Sequence, residues 1–572
     1  MKKMKKLAGA MALFSTMLML SACGGKKAES PSKTDVDVSK LPEAGDFSEE
    51  IPLQLSGSFT RGKVEDGNWV QKKLEEQFNI KIENTKVDTW DAQQTSVMVA
   101  SGDLPDVFAF TTGGMSAADY YNQGLTRTIP KAMLEKYAPN YCKMLDEENN
   151  GLGWKMNLAP GTKDEYVSLL GLQSHTDGIL WAPTLRMDWM EKLGIEIPED
   201  AKPVGDSSNN GDRIYMTSKS YTIEELEKIL TAFTKNDPDE NGKDDTYGML
   251  PWNDNSNWNK TLFGAYGFAK EMNLENDGKL VSVDIYDGYK QAMLKLADWQ
   301  KKGLIDPEWT TMKEKTAWDK YKAGKIGYWV TQRAYIAQEA WTDGRAPQNI
   351  LKADPNAKVL VCAPETGPEG KQGEPSWTPV TLLGDGMQIS KKVTDEQLAR
   401  YLQLFDWMTY SDDSYWTLYG EPGTHSDWQG EEGNSALVVR PEFPSEEGNM
   451  GFWAYNFRSY PGKHLTWLTY PKTLELMNDF FNKPEVVEKL ALRPYKYDLF
   501  QETELKELGD RYNAQLQTIS DEFFMKGIVG DIDIEKKWDS YVKQWKESGG
   551  QAIMDENEKA PLVSDLREGK VK

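Results

Sequence analysis

The sequence predicts an α/β protein of at least two domains, on three observations. The chain has 572 residues, whereas a single hydrophobic core stops growing at about 250–300 residues. Its apolar residues switch repeatedly between a spacing of two and a spacing of three to four, the periods of a strand face and a helix face. Hydrophobic residues make up 39% and charged residues 27% of the chain, as in ordinary globular proteins.

The alternation is clearest near the beginning. Ile51, Leu53 and Leu55 alternate as a strand, Val70, Leu74 and Phe78 recur at helical spacing, and Ile80 to Ile82 returns to alternation. A second helix is expected from about Ala92 to Ala100, and Val107 to Phe110 reads as a short apolar strand. This β-α-β-α-β order implies parallel strands with helices on the faces of the sheet. Ligands of such sheets bind beyond the carboxyl ends of the strands. The loops expected there are Ser56 to Gly62, the turn around Trp90, and Thr111 to Gly114.

Within this unit, Trp69 through Ile82 (WVQKKLEEQFNIKI) and Ala100 through Val107 (ASGDLPDV) resemble the first lobe of the extracellular solute-binding proteins of ABC importers, in the oligosaccharide-binding branch of the family 1 type. Leu185 to Gly194 (LRMDWMEKLG) resembles the approach to the second lobe, and Tyr419 to His425 (YGEPGTH) resembles a turn of the same family. The resemblance implies a two-lobe, periplasmic-binding-protein-like fold, each lobe a mainly parallel sheet flanked by helices and joined to the other by hinge strands. The chain length points to the large-lobed type. On this reading residues 47–118 and 373–415 form lobe 1, residues 119–372 and 416–560 form lobe 2, and residues 561–572 are a C-terminal tail. Helix signals agree with it. Thr222 with Glu225, and Thr394 with Gln397, make capping boxes ahead of apolar stripes, and the stretch from Thr503 to Trp545 is helical by period.

The first 22 residues read as a signal peptide. Lys2, Lys3, Lys5 and Lys6 precede an uncharged run from Leu7 to Leu20, too short to span a bilayer stably. Leu20, Ser21, Ala22 and Cys23 are similar to the lipobox of bacterial lipoproteins. That implies that Cys23 receives a diacylglyceryl group, with palmitate as a further acyl chain, and becomes the first residue of a protein anchored by its N-terminal lipid on the extracytoplasmic face of the cell membrane. Residues 23–46, poor in apolar side chains, are the expected tether.

Charge narrows the partners. The chain carries −23; its only charges before residue 23 are the four lysines, so the remainder carries −27. Such a surface disfavours nucleic acid, whose phosphates require basic contacts, and disfavours broad electrostatic attachment to anionic lipid. Three histidines without ligand-like spacing argue against a catalytic zinc site. Cys142 and Cys362 are expected to remain thiols, since a domain of this size needs no staple and Cys362 lies in an apolar run. No G-x-S-x-G elbow, H-E-x-x-H helix or P-loop is present.

The most specific motif runs from Asp237 to Asp245 (DPDENGKDD). Oxygen side chains at positions one, three, five and nine around Gly242 match the beginning of an EF-hand loop, in which position seven supplies its backbone carbonyl. A structural calcium ion is therefore expected on Asp237, Asp239, Asn241, the carbonyl of Lys243 and Asp245, with Thr246 or water as a further contact. Position twelve is Gly248 instead of Glu. The ion is read as scaffolding.

A sugar presents C–H faces that stack on aromatic rings and hydroxyls that need amides, carboxylates or guanidinium groups. Twenty tryptophans supply the rings. The candidates are Arg61 and Trp90 from the first lobe, with Trp252, Asn255, Trp258, Trp329, Trp453 and Arg186 from the second. Trp329 leads them, because Tyr321 to Val330 (YKAGKIGYWV) resembles the family segment that carries a sugar-stacking aromatic. The resemblance implies a monomer that closes on an oligosaccharide and is recognised by the transmembrane subunits of an ABC permease and its ATPase, without catalysis. A ligand-sensing lipoprotein that does not transport, and a carbohydrate hydrolase, are the alternatives.

Overall fold

The computed structural model describes residues 36–571 except 148–150, 173–180, 208–209, 252–259, 271, 333–335, 337–345, 376–381, 441, 444–448, 458–466, 468–469 and 499–503. The signal peptide, Cys23, Trp252, Asn255 and Trp258 lie outside the described residues. Eleven strands build the two main sheets: β1 Ile51–Ser56, β2 Ile80–Asn84, β3 Val107–Phe108, β4 Leu169–Leu172, β5 Trp181–Arg186, β6 Lys202–Pro203, β7 Ile214–Thr222, β8 Tyr247–Met249, β9 Ile326–Gln332, β10 Val359–Thr366 and β11 Leu382–Ile389.

The first sheet has the order β2-β1-β3-β11-β4. β1 pairs in parallel with β2 and with β3, and β11 runs antiparallel to β3 and β4. Leu53, Leu55, Ile80 and Ile82 are buried at alternate positions, so the period of two read from the sequence is the inward face of this sheet. Helix Trp69–Phe78 starts at Asn68, whose side chain accepts from the Gln71 amide, and buries Val70, Leu74 and Phe78. An N-cap of this kind satisfies one of the donors the first turn leaves without a helical partner.

The second sheet has the order β8-β9-β5-β10-β7-β6. Its central strands β9, β5 and β10 are buried along nearly their whole length, and β5 runs antiparallel to both β9 and β10, so this sheet is mixed where a mainly parallel one was expected; strands buried on both faces read as continuous apolar runs without alternation. Helix Ile223–Lys235, opened by the Thr222–Glu225 capping box, buries Ile223, Leu226, Ile229, Leu230 and Phe233. Helix Asp395–Tyr410, opened by the Thr394–Gln397 capping box, serves the first sheet in the same way.

Two hydrophobic cores result, and they move the boundaries expected from sequence. Residues Ile129 to Leu170, expected in lobe 2, pack in the first core with Leu53, Leu402 and Phe405. Tyr141 and Asn140 explain the placement, since the Tyr141 amide and the Asn140 side chain donate to Asp406 at 2.8 and 2.9 Å. Phe452, Ala454, Tyr455 and Phe457 also belong to the first core. So does Leu566 in helix Val563–Arg567, which makes the expected tail a docked element. Part of the expected tether is docked too: Leu41 is buried, and the Tyr137 hydroxyl donates to the Pro42 carbonyl at 2.6 Å. An amphipathic helix announces that it covers something and carries no mark of which sheet.

Cys142 and Cys362 are both buried free thiols, one in each core. Among the described residues no helix is long and apolar enough to cross a membrane.

Candidate functional site

The carboxyl ends of β1, β2 and β3 point into three loops that are joined at one carbonyl. Ser58 O accepts hydrogen bonds from Thr89 Oγ1 at 3.0 Å, Trp90 Nε1 at 3.1 Å and Thr111 Oγ1 at 2.9 Å. The Thr89 carbonyl in turn accepts from the amides of Thr111 and Thr112. Backbone polar groups in loops must find partners, and here they find them in one another, which holds the loops in a fixed arrangement.

The arrangement presents an aromatic face. The indole N–H of Trp90 is satisfied inward by Ser58, while the side chain is 39% exposed. Arg61 lies over its ring at 4.9 Å and forms an ion pair with Asp88 at 3.0 Å. Phe59 lies 6.2 Å from Trp90 and meets Trp453 edge to face at 5.2 Å. Arg61, Trp90 and Trp453, all expected from sequence, therefore stand in one cluster. Phe59 was not expected, although an aromatic inside the predicted Ser56–Gly62 loop was the available signal.

Trp453 reaches this cluster because a distant segment is docked on the first loop. Ser58 donates its amide to Asn456 O at 3.1 Å, and Thr60 Oγ1 donates to Ala454 O at 2.7 Å. The approach is so close at Gly57 that a Cβ there would lie 2.7 Å from the backbone of Ala454, Tyr455 and Asn456. Tyr455 adds a polar lock: its hydroxyl accepts from Asn68 Nδ2 and donates to Asn84 Oδ1, both at 2.6 Å. Trp453 itself has φ +68°, a left-handed backbone that a bulky residue adopts only when its surroundings enforce it. Such positions concentrate at ligand clamps and switch regions. Trp453 was expected from the second lobe and is delivered to the first.

Arg186 and Trp329 are placed elsewhere, which corrects two expectations. Arg186 is 2% exposed. Its guanidinium forms a bidentate pair with Asp188 at 2.8 and 2.7 Å, contacts Asp354 at 2.9 Å and covers Trp189 at 4.7 Å, so it is committed to these partners. Trp329 is 1% exposed. It lies in β9, pairs with Thr184 of β5, and packs edge-on against Tyr321 at 6.0 Å. An aromatic in an all-buried strand is core.

The acidic loop after helix Ile223–Lys235 has a left-handed backbone at Asp237, Glu240 and Gly242, as a tight oxygen-rich turn requires. Several of its side-chain oxygens, however, already accept hydrogen bonds. Asp237 accepts from the amides of Asn241 at 3.2 Å and Gly242 at 2.9 Å, and Asn241 Oδ1 accepts from the Lys243 amide at 2.8 Å. Asn241 turns its amide nitrogen to Asp239 and Asp245 at 2.8 and 3.0 Å. Thr246 is buried and donates to Phe233 O at 2.9 Å. Asp239 Oδ1 is buried without a hydrogen-bond partner. Among the described residues no group of three or more His, Cys, Asp or Glu could hold a metal ion. The donor set as it stands does not fit calcium.

A cavity of about 1070 Å³ lies in the second lobe between Lys270, Asp284, Lys496, Asn513, Trp545 and Asn557. It shares no residue with the aromatic cluster.

Comparison with known proteins adds relatives at low identity. No family model matches this chain. The chain is 26% identical over 325 residues to the fructooligosaccharide ABC transporter substrate-binding protein FusA of Streptococcus pneumoniae serotype 4, a match that spans 52%, about half, of each protein. It is 23% identical over 490 residues to the polygalacturonan/rhamnogalacturonan-binding protein YtcQ of Bacillus subtilis, covering 84% of this chain and 86% of that one. The chain is thus similar, at low identity, to proteins named as an ABC-transporter substrate-binding protein and a polysaccharide-binding protein. Solved structures of S. pneumoniae FusA, one with kestose and one an EF-hand mutant with fructo-nystose, superpose with a TM-score of 0.64 at 20% identity, covering 89% of this chain and 98% of theirs. The two-lobe fold of the substrate-binding proteins is thus the fold described above, and an EF-hand is named in one of the two FusA structures.

Proposed function

We propose that this chain is a lipid-anchored extracytoplasmic solute-binding protein that captures an oligosaccharide between its two lobes and presents it to an ABC permease, making and breaking no covalent bond. The observation that carries the reading is the cluster of Phe59, Arg61, Trp90 and Trp453 beyond the carboxyl ends of three parallel strands. Flat apolar rings beside a guanidinium and a carboxylate match the C–H faces and hydroxyls of a saccharide. The saccharide ligands in the relatives' names, and the binding-protein names themselves, support the same class.

Lobe closure on the ligand would mark the loaded state for the permease, since a ligand shifts a two-state equilibrium by as much as it prefers one state. The anchor in this reading is Cys23, on the sequence of residues 20–23. The protein acts as a monomer, and the acidic loop belongs to its scaffold.

The deciding experiment is thermal unfolding of the full chain in detergent against neutral and uronic oligosaccharides. A ligand that binds only the folded form raises the midpoint. A rise with one class, and recovery of that saccharide unchanged, is the expected result. A shortened saccharide would instead identify a hydrolase, and no rise across the panel would remove oligosaccharides as the ligand class.

A further inference from the structure

We infer that Lys325 is the cation of the acidic loop: its ammonium holds Asp239 and Asp245 together from the neighbouring strand, so the loop is closed without a metal ion. Lys325 Nζ lies 2.9 Å from Asp239 Oδ2 and 2.8 Å from Asp245 Oδ2. The same two carboxylates accept the amide protons of Asn241. Positions three and nine of the loop, which would face calcium, therefore face two nitrogen donors.

The sheet register explains why the lysine is there. Tyr247 of β8 pairs with Ile326 of β9, and the Tyr247 amide donates to the Lys325 carbonyl at 2.9 Å. The residue that ends the loop and the residue that opens β9 are thus adjacent by strand pairing. The loop is also cut short on this side. Gly248, at position twelve, already lies in β8, donates its amide to Thr234 Oγ1 at 2.9 Å, and would bring a Cβ to 2.8 Å from that of Leu230. No room exists there for the bidentate glutamate that an EF-hand places at this position. What replaces it is a cation supplied by the chain.

The surroundings reinforce the exclusion. Lys192 donates to the Pro238 carbonyl at 3.1 Å and pairs with Glu240 at 3.3 Å. A divalent ion at positions three and nine would have to displace the Lys325 ammonium. The inference does not depend on which ligand the protein carries.

The test compares the wild type with Lys325→Met and Lys325→Arg, each as the full chain in detergent, by calcium titration calorimetry and by thermal unfolding in EDTA and in millimolar calcium. The wild type should unfold at the same midpoint in both media. Lys325→Met should unfold earlier in EDTA, recover in calcium, and bind calcium at least about tenfold tighter than the wild type, because the competing ammonium is gone. Lys325→Arg should stay insensitive to calcium. A wild-type midpoint that falls in EDTA, or micromolar calcium binding by the wild type, would overturn the inference even if Lys325→Met does not fold. Equal calcium affinity in wild type and Lys325→Met would do the same. Saccharide binding enters none of these readouts, so failure of the proposed ligand class and failure of this inference are separable.

Discussion

The Arg61 guanidinium lies 4.9 Å from the centre of the Trp90 ring while the same side chain is held by Asp88 at 3.0 Å. A cation over an indole face is drawn to the ring's negative quadrupole, and here a second, polar anchor favours the same placement. The ring beneath it is fixed as well, through its N–H on Ser58. Both components of the aromatic face are thus oriented before a ligand arrives, and preorganisation of this kind lowers the entropy lost on binding.

Trp90 should accordingly be separable from stability. Trp90→Ala removes a partly exposed ring, so the thermal midpoint should move little. Saccharide affinity should fall by about 10–100-fold, the equivalent of about 1.5–3 kcal/mol for one large apolar contact. Trp453→Ala should weaken binding similarly. Calorimetric titration with the saccharide identified by thermal unfolding checks both, and unchanged affinity in the two variants would place the ligand elsewhere.

Gly57→Ala addresses the docking of the distant segment. A methyl group 2.7 Å from three backbone positions cannot be absorbed by a side-chain rotation, because the obstacle is backbone. The cost of such overpacking is about 1–3 kcal/mol. The variant should therefore lose stability in urea unfolding and, by shifting Trp453 away from Phe59, lose saccharide affinity as well. A stable variant with normal affinity would show that residues 451–457 are not seated on this loop.

Trp329→Ala should behave in the opposite way to Trp90→Ala. The ring is 1% exposed within a central strand, and truncating a buried aromatic to alanine costs about 3–5 kcal/mol. Urea unfolding should show that loss, while the folded fraction should bind saccharide with wild-type affinity. Weakened binding at unchanged stability would restore the role expected from the sequence.

The contrast between these tryptophans shows what the chain discloses by itself. The β-α-β-α-β unit was legible because Leu53, Leu55, Ile80 and Ile82 alternate and because Val70, Leu74 and Phe78 share a helix face; one-sided burial writes its period into the residues. The loops at strand ends followed from that order, and Arg61 and Trp90 followed from the loops. Trp329 was misread because β9 is buried on both faces, so Tyr328, Trp329 and Val330 form a run with no period to tell core from cleft. Arg186 was misread because its partners Asp188 and Asp354 are brought together by folding, and one of them is 168 residues away. Lys325 was missed for the same reason: its nearness to Asp245 is a matter of strand register, which no local motif encodes.

Glu365 provides a prediction in pH. It is 2% exposed at the end of β10, accepts the Tyr328 hydroxyl on Oε1, and has no hydrogen-bond partner on Oε2. Burial raises its pKa, and the hydrogen bond from Tyr328 only partly offsets this. A carboxyl whose folded-state pKa lies above its unfolded value stabilises fully below the unfolded value and loses that contribution as pH rises through the folded one. At neutral pH the side chain must either stay protonated against solution or carry a charge with little solvation, and both cost stability. Glu365→Gln keeps an acceptor for Tyr328 and removes the ionisation. Its thermal midpoint should therefore match the wild type at acid pH, where the carboxyl is protonated in both the folded and the unfolded chain, and exceed it by an amount that grows as pH rises. The slope decides the matter: a gap independent of pH would mean that Glu365 does not titrate differently in the folded and unfolded chains. A variant that loses stability as pH rises would mean that the ionised carboxylate has a compensating cation.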